Sequence, residues 1–233
     1  IKKLEYLNIP MMVEKPLLIN KQQIQVFENS VSNLKSIYVA CNFRFHPLID
    51  FIKEYLQSDF SKINEVTAYC GSFLPDWRAD SDYRKVYSSR KELGGGVHLD
   101  LIHEPDYLIH LFGMPKTTLS KHRKVSNLEI NTFDSSNYLF QFEEFQAQII
   151  LNYFRRDAKR TLEIVREKDT LLIDFIDGKI YNLTENKIIL AQQEKSIYDS
   201  YIKQMKYFLS CINKKEIPLN NAEEAIEILK CIL

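Results

Sequence analysis

Hydrophobic periodicity changes character along this chain, and the change falls at residue 63. Before it, Met11, Met12 and Val13 make a short apolar run ending in Glu14-Lys15-Pro16. Ile24, Phe27, Val31 and Leu34 then recur at helical spacing behind Asn20, a good capping residue, and 37–41 is again a β-rich run. A strand, a helix and a strand within about 30 residues predict a parallel α/β crossover unit. Leu48, Ile49, Phe51, Ile52, Tyr55 and Leu56 predict a helix over 47–57. From 63 the pattern predicts a strand to 73, a polar and aromatic segment without period over 74–93, and a helix opened by Gly94-Gly95-Gly96. Runs at 117–125, 137–143, 146–154, 160–167, 170–176, 179–183 and 187–191 read as strands. Asp177-Gly178 suits a two-residue hairpin turn, and Glu143-Glu144 marks another reversal. Two helices, 197–212 and 221–232, close the chain. The expected fold class is α+β: a large, mostly antiparallel open sheet with helices on one face, preceded by a parallel α/β piece.

Composition narrows the setting. The 233 residues can hold one large domain, or one medium domain and part of another. Hydrophobic residues at 45% and charged residues at 27% are ordinary for a globular protein. Lys+Arg and Asp+Glu both number 31, so charge gives no reason to expect nucleic acid or a membrane surface as partner. Cys41, Cys70, Cys211 and Cys231 are scattered without a CxxC pair, which argues against a zinc site or a disulfide framework and suits a reducing cytoplasm. No apolar run approaches the roughly 20 residues of a membrane span, and no signal-peptide pattern is present.

The densest chemistry lies in 94–106. On a continuous helix Asp100, His103 and Asp106, spaced by three, would share one side of an apolar rod, and the glycines would let a ligand or another backbone approach its start. An acid beside an imidazole is what proton transfer needs. The plain alternative is a capped helix with a satisfied, partly buried histidine. A metal reading through His98, His103, Glu104 and Asp106 lacks an HExxH pattern and any nearby cysteine. Long loops within a compact domain are frequently functional. Asp76-Trp77-Arg78 and Asp82-Tyr83-Arg84, with Tyr87 and Arg90, suit a polyhydroxylated ligand, and arginines can also grip a carboxylate or phosphate. A protein-binding or dimer surface would use the same residue types.

Three motifs occur in fixed order: Glu14-Lys15-Pro16 after an apolar strand, Arg44-Phe45-His46-Pro47 after the next, and Gly94-Gly95-Gly96 leading to Asp100, His103 and Asp106. That order resembles the glucose–fructose oxidoreductase/inositol dehydrogenase (Gfo/Idh/MocA) family over nearly the whole chain. The family starts with a Rossmann domain bearing a GxGxxG fingerprint, and no such fingerprint occurs here. The resemblance is therefore to the carboxy-terminal portion of such an enzyme. It implies a remnant of the dinucleotide-binding domain over 1–45 and a substrate-binding, catalytic and dimerisation domain over 46–233. It implies an NAD(P)-dependent oxidoreductase acting on a sugar, amino sugar, nucleotide sugar or polyol. NAD or NADP would serve the intact protein, with none expected on this chain alone.

By the same resemblance Lys15, Asp100 and His103 are catalytic, and Glu14, Lys15 and Pro16 lie at the cofactor. Arg44, Trp77, Tyr83, Arg84 and Asp106 are candidates for the carbohydrate substrate. No metal is expected, and homodimerisation through the sheet is. One departure stands out: the commoner family spacing is Asp-x-x-x-His, whereas here it is Asp-x-x-His. The alternative function is a carbohydrate-binding or dimerising domain with no chemistry of its own.

Overall fold

A computed structural model of the chain describes residues 1–7, 9–59, 61–192 and 196–233. β1 (Met11–Glu14) and β2 (Ile37–Ala40) run parallel, with Met11 opposite Ile37 and Glu14 opposite Ala40. The crossover between them carries α1 (Lys21–Glu28), whose first turn is fastened by the Asn20 side chain accepting the Gln23 N–H at 2.8 Å. This helix is shorter than its apolar period predicts. The Val31 N–H bonds back to the Phe27 carbonyl, and the chain turns at Asn29-Ser30. Val31 still reaches the core from that turn, beside Ile37 and Ala222, with Leu34 packed against them. α2 (Pro47–Ser58) starts with proline in its first turn, where a missing N–H costs nothing, and buries Leu48, Ile49 and Ile52.

The rest of the molecule is built on one eight-stranded sheet. Its strands are β3 (Ile63–Gly71), β4 (Thr117–Arg123), β5 (Ser135–Gln141), β6 (Gln146–Asn152), β7 (Lys159–Arg166), β8 (Thr170–Asp174), β9 (Lys179–Asn182) and β10 (Lys187–Ala191). The order is β10-β9-β8-β7-β3-β6-β5-β4, and only the β3–β6 pair is parallel. Strand side chains alternate between faces, so register decides which residues meet. One cross-strand row, Tyr138, Ile149, Ala68, Leu162, Ile173 and Ile180, is buried throughout. A row of the opposite face reads Leu119, Leu139, Gln148, Thr67, Glu163, Leu172 and Tyr181, and none of these is buried. The buried face receives α3 (Val97–Asp100) and α4 (His103–Phe112). Segment 74–93, which shows no period in sequence, is ordered by three 3-10 turns, at Leu74–Trp77, Tyr87–Ser89 and Lys91–Leu93. α5 (Ser196–Lys214) and α6 (Ala222–Ile232) close the chain, the latter capped by Asn221. Among the described residues, no helix is long and apolar enough to cross a membrane.

A buried cation joins these parts. The 3-10 turn Asn42–Phe45 after β2 points the Arg44 guanidinium at α4 and α6. Nε and Nη2 donate to the Asp106 carboxylate at 2.9–3.1 Å, and Nη1 donates to Glu224 at 2.8 Å. The side chains of Arg44 and Asp106 are 2% and 1% exposed. Such a pair contributes little net free energy against an apolar substitute, but removing one partner strands a charge in a dry interior.

Burial governs the histidines as well. It is the largest cause lowering His46, His98 and His110 to about 4, His103 well below its ordinary 6.5, and His122 below 6.5. All five are therefore neutral in the folded chain near pH 7.

Two outcomes follow for stability. Arg44→Ala and Asp106→Ala should each cost about 3–5 kcal/mol in urea unfolding, with the double variant costing less than the sum. A loss under about 1 kcal/mol for both would remove the pair from that role. The unfolded chain binds protons on its histidines below about pH 6.5 while the folded one does not, so stability is full above that pH and declines beneath it. The thermal midpoint should fall between about pH 7.5 and about pH 5.5, before carboxylates titrate, and an unchanged midpoint would contradict the histidine account.

Candidate active site

Lys15 follows directly on β1, and its peptide bond to Pro16 is cis. Its ammonium donates to the main-chain carbonyl of Asp100 at 2.6 Å, across 85 positions of sequence. Asp100 is brought there by close backbone packing. A Cβ on Gly95 would lie 2.1 Å from the Tyr87 carbonyl oxygen, so only glycine admits that contact. Gly95 thus receives another backbone, whereas Gly94 and Gly96 face side chains. Gly96, at φ 127°, then starts α3.

The single helix expected from 97 onwards is two. Leu101 leaves helical geometry at φ −99°, ψ 35°, and α4 begins at His103. Asp100, His103 and Asp106 consequently serve different surroundings. The Asp100 carboxylate accepts the Tyr153 hydroxyl at 2.5 Å, and Asp106 is taken by Arg44. His103 keeps its Nδ1 buried with no partner, so its open edge is the Nε2 side. Burial first, then the Lys15 and Arg160 cations, hold this imidazole neutral.

Arg160, on β7, completes that environment. Its Nε donates to Glu104 at 2.6 Å, and its guanidinium lies 3.6 Å from the Phe43 ring centroid, whose ring is 5.1 Å from that of His103. Sequence reasoning missed Tyr153 and Arg160. Arg160 did leave a signal, since it occupies the parity of Leu162 and Ile164, where an apolar residue belongs. Tyr153 left none: it continues the buried alternation of Ile149 and Leu151.

Among the other expected residues, Trp77 stands beside the site. Its Nε1 donates to Ser72 at 2.8 Å, and its ring meets Tyr153 edge-on at 5.2 Å. Tyr87 is near enough for the Asp100 charge to help raise its pKa, after burial, and the Arg78 guanidinium lies over its ring at 5.4 Å. Tyr83 and Arg84 point elsewhere. Arg84 binds Asp82 and Glu129, and the Tyr83 hydroxyl accepts the Glu129 N–H, fastening the loop to the segment around residue 129. Arg44 and Asp106, expected at the substrate, are buried against each other and join elements instead. Glu14 is exposed at the end of β1 and Pro16 is half-buried.

The residues of the metal reading are also separated. His98 packs on the His122 and Phe133 rings, Glu104 faces Arg160, and Asp106 faces Arg44. Among the described residues, no three side chains of ligating type converge. A cleft of about 350 Å³ lined by His98, His122 and Lys91 shares no residue with Lys15, Asp100 or His103.

The sequence matches no protein-family model and no curated protein. Solved structures do match, over almost the whole chain. An oxidoreductase from Agrobacterium radiobacter in complex with NAD+, L-tartaric acid and magnesium superposes with a TM-score of 0.76 at 13% identity, covering 99% of this chain and 71% of that one. A myo-inositol dehydrogenase from Corynebacterium glutamicum gives 0.74 at 16%, with coverage of 99% and 71%. UDP-N-acetylglucosamine 3-dehydrogenase from Acidithiobacillus ferrooxidans gives 0.70 at 14%, with 98% and 71%. At such identities the likeness is one of architecture, and in architecture the chain has the fold of the Gfo/Idh/MocA-type oxidoreductases that its three motifs resemble.

Proposed function

We propose that this chain supplies the substrate-binding and catalytic part of an NAD(P)-dependent oxidoreductase acting on a hydroxyl or carbonyl carbon of a sugar, amino sugar, nucleotide sugar or polyol. One observation carries the reading. The Lys15 ammonium is fixed on the Asp100 carbonyl beside a neutral His103, and Tyr153 holds the Asp100 carboxylate. In this reading residues 1–45 continue a dinucleotide-binding domain and 46–233 hold the substrate. Lys15 has a main-chain carbonyl as partner and no carboxylate within ion-pair distance among the described residues, and in this reading it and His103 are the groups that would meet a nicotinamide and a substrate hydroxyl. Glu14, Lys15 and Pro16 would lie against that nicotinamide, which when bound accepts or returns the hydride.

The chain's own residues handle the proton. His103, neutral at neutral pH, takes the hydroxyl proton at Nε2. The Lys15 ammonium stabilises negative charge growing on the oxygen. Asp100, locked by Tyr153, fixes the carbonyl that aims Lys15 and offers its second carboxylate oxygen to a neighbouring hydroxyl. Trp77 provides an apolar wall for the sugar ring. The four cysteines are all free thiols, as a reducing cytoplasm would leave them. The open sheet face, with Leu119, Leu139, Leu172 and Tyr181 in one row, is the surface through which two copies would pair.

In the intact enzyme His103→Ala should lower turnover by about 10²–10⁴-fold with a smaller change in the Michaelis constant. Lys15→Met should cost turnover too, and the two losses should not add in free energy if they serve one proton path. His110, bonded to Lys53 at 3.2 Å, is the control, and His110→Ala should retain turnover. The acid limb of the pH–rate profile should lie below about pH 6.5. In Lys15→Met a cation that disfavours imidazolium is gone, so this limb should move to higher pH. An unmoved limb, or His103→Ala with normal turnover, would refute the assignment.

Sedimentation should show a homodimer at tens of micromolar, converted to monomer by Leu139→Glu. A wild-type monomer would refute pairing through the sheet.

A further inference from the structure

We propose that the cleft of about 350 Å³ between the start of α1, the glycine run and the end of β4 is a second ligand site, suited to a small organic anion with one carboxylate end and an apolar body. The dehydrogenase reading is not needed for it, since the cleft shares no residue with Lys15, Asp100 or His103. Its size falls within the range of small-molecule pockets, and Ile19, Leu99 and Phe133 give it apolar walls. Ile19 stands directly on Gly94, where a Cβ would lie 2.7 Å from its Cγ2, so the crossover segment and the glycine run close one side together.

Most polar groups of the lining are engaged by the chain itself. The Thr132 hydroxyl donates to the Ser88 carbonyl at 3.0 Å, and the Asn131 side chain accepts the Lys91 N–H at 2.8 Å and donates to Glu92 at 3.2 Å. Asn20 caps α1, and the Nδ1 of His122 is paired with the Ser136 hydroxyl at 3.0 Å. His98 differs. It is only 7% exposed, and its Nδ1 is buried without a partner against Gly96, where a Cβ would stand 2.8 Å away. A buried nitrogen without a partner is tolerated as a bare lone pair more readily than as an N–H, so the ring proton belongs on Nε2. Nε2 is the edge of this ring that still reaches the cleft, as a donor with no acceptor from the chain. Charge selects the acceptor. No Asp or Glu side chain lines the cleft, whereas Lys21 and Lys91 form its exposed part. Lys21 opens α1, whose first turn holds no acidic residue, so a cation opposes the helix dipole there and an anion in the cleft would offset it. One inner donor among apolar walls suits a ligand with a single polar end, because each further buried hydroxyl of a sugar would need a partner of its own.

Calorimetry on the complete natural protein would compare benzoate with benzamide, its neutral counterpart, and with acetate, which lacks the apolar body. Benzoate should bind with a dissociation constant of about 1 mM or tighter. It should also exceed each of the other two by about tenfold. Saturating NAD should leave that constant unchanged. The imidazole carbon–proton NMR spectrum locates the site without any substitution: the His98 and His122 signals should move with benzoate, while those of His46, His103 and His110 stay. His98→Phe keeps a ring beside Gly96 and His122 but removes the donor, and should weaken benzoate by about fivefold or more in protein that circular dichroism shows to be folded. Lys91→Gln, at an exposed position, should narrow the margin of benzoate over benzamide and leave benzamide unchanged. Benzoate no tighter than benzamide, displacement by NAD, a shift at His103 in place of His98, or full affinity in His98→Phe would overturn the proposal.

Discussion

The candidate site depends on a buried guanidinium bound to carboxylates of the chain itself. Arg44 leaves the end of β2 and binds α4 through Asp106 and α6 through Glu224. α4 begins at His103, and β1, paired to β2, ends just before Lys15. The arginine therefore sets the distance between the two residues that the proposed reaction brings together. An apolar contact could join the same elements with comparable stability, but it would tolerate sliding. A guanidinium bound through two nitrogens to one carboxylate and through the third to another fixes angle as well as separation. Placing a proton acceptor against an alkoxide demands that kind of constraint, since small misplacements are costly in rate.

Around His103 the structure trades basicity for readiness. Burial and two nearby cations make the imidazolium unfavourable, which weakens the histidine as a base. The same forces keep it deprotonated whenever a hydroxyl arrives. In the proposed reaction, positive charge beside the reacting oxygen would offset the weakness, because an alkoxide forms more readily near a cation than in water. Glu104 binds Arg160, and the Tyr153 hydroxyl binds one oxygen of the Asp100 carboxylate. The Lys15 ammonium is held by a carbonyl dipole instead, which positions it and leaves its charge available.

Much of the architecture is legible in residue order alone. Every strand from β3 to β10 lies where alternation and turn residues predict it, because a half-buried sheet imposes period two wherever it exists. The crossover unit is legible for the same reason, down to the Asn20 cap. The end of α1 is not: Val31 and Leu34 satisfy the helical period after the helix has stopped, since a turn can return the chain to the same core. Of the proposed site, Lys15, Asp100 and His103 could be nominated from motifs and Trp77 from the make-up of an aperiodic loop, whereas Arg44 and Asp106 looked like ligand-binding groups. A charged residue near a motif carries no mark of whether its partner is a substrate or another side chain 62 positions away. Only the tertiary fold supplies the partner. Tyr153 shows the converse, a hydroxyl bound to the Asp100 carboxylate but carried by a side chain that reads as core.

The helix break at Leu101 resolves the unusual spacing of the acid and the imidazole. On an uninterrupted helix, separations of three and of four both keep two side chains on one face, so Asp-x-x-His would look like a small variation on Asp-x-x-x-His. Here the pair is not presented by a shared face at all. Asp100 ends one short helix and turns its carboxylate to Tyr153 and its carbonyl to Lys15, and His103 opens the next. A break frees the Asp100 carbonyl from the i to i+4 bond that the Glu104 N–H would otherwise make, and that carbonyl is the acceptor Lys15 uses. In this chain the short spacing coincides with the end of the first helix. The motif is better understood as a helix end followed by a helix start, with the proposed catalytic geometry made at the junction.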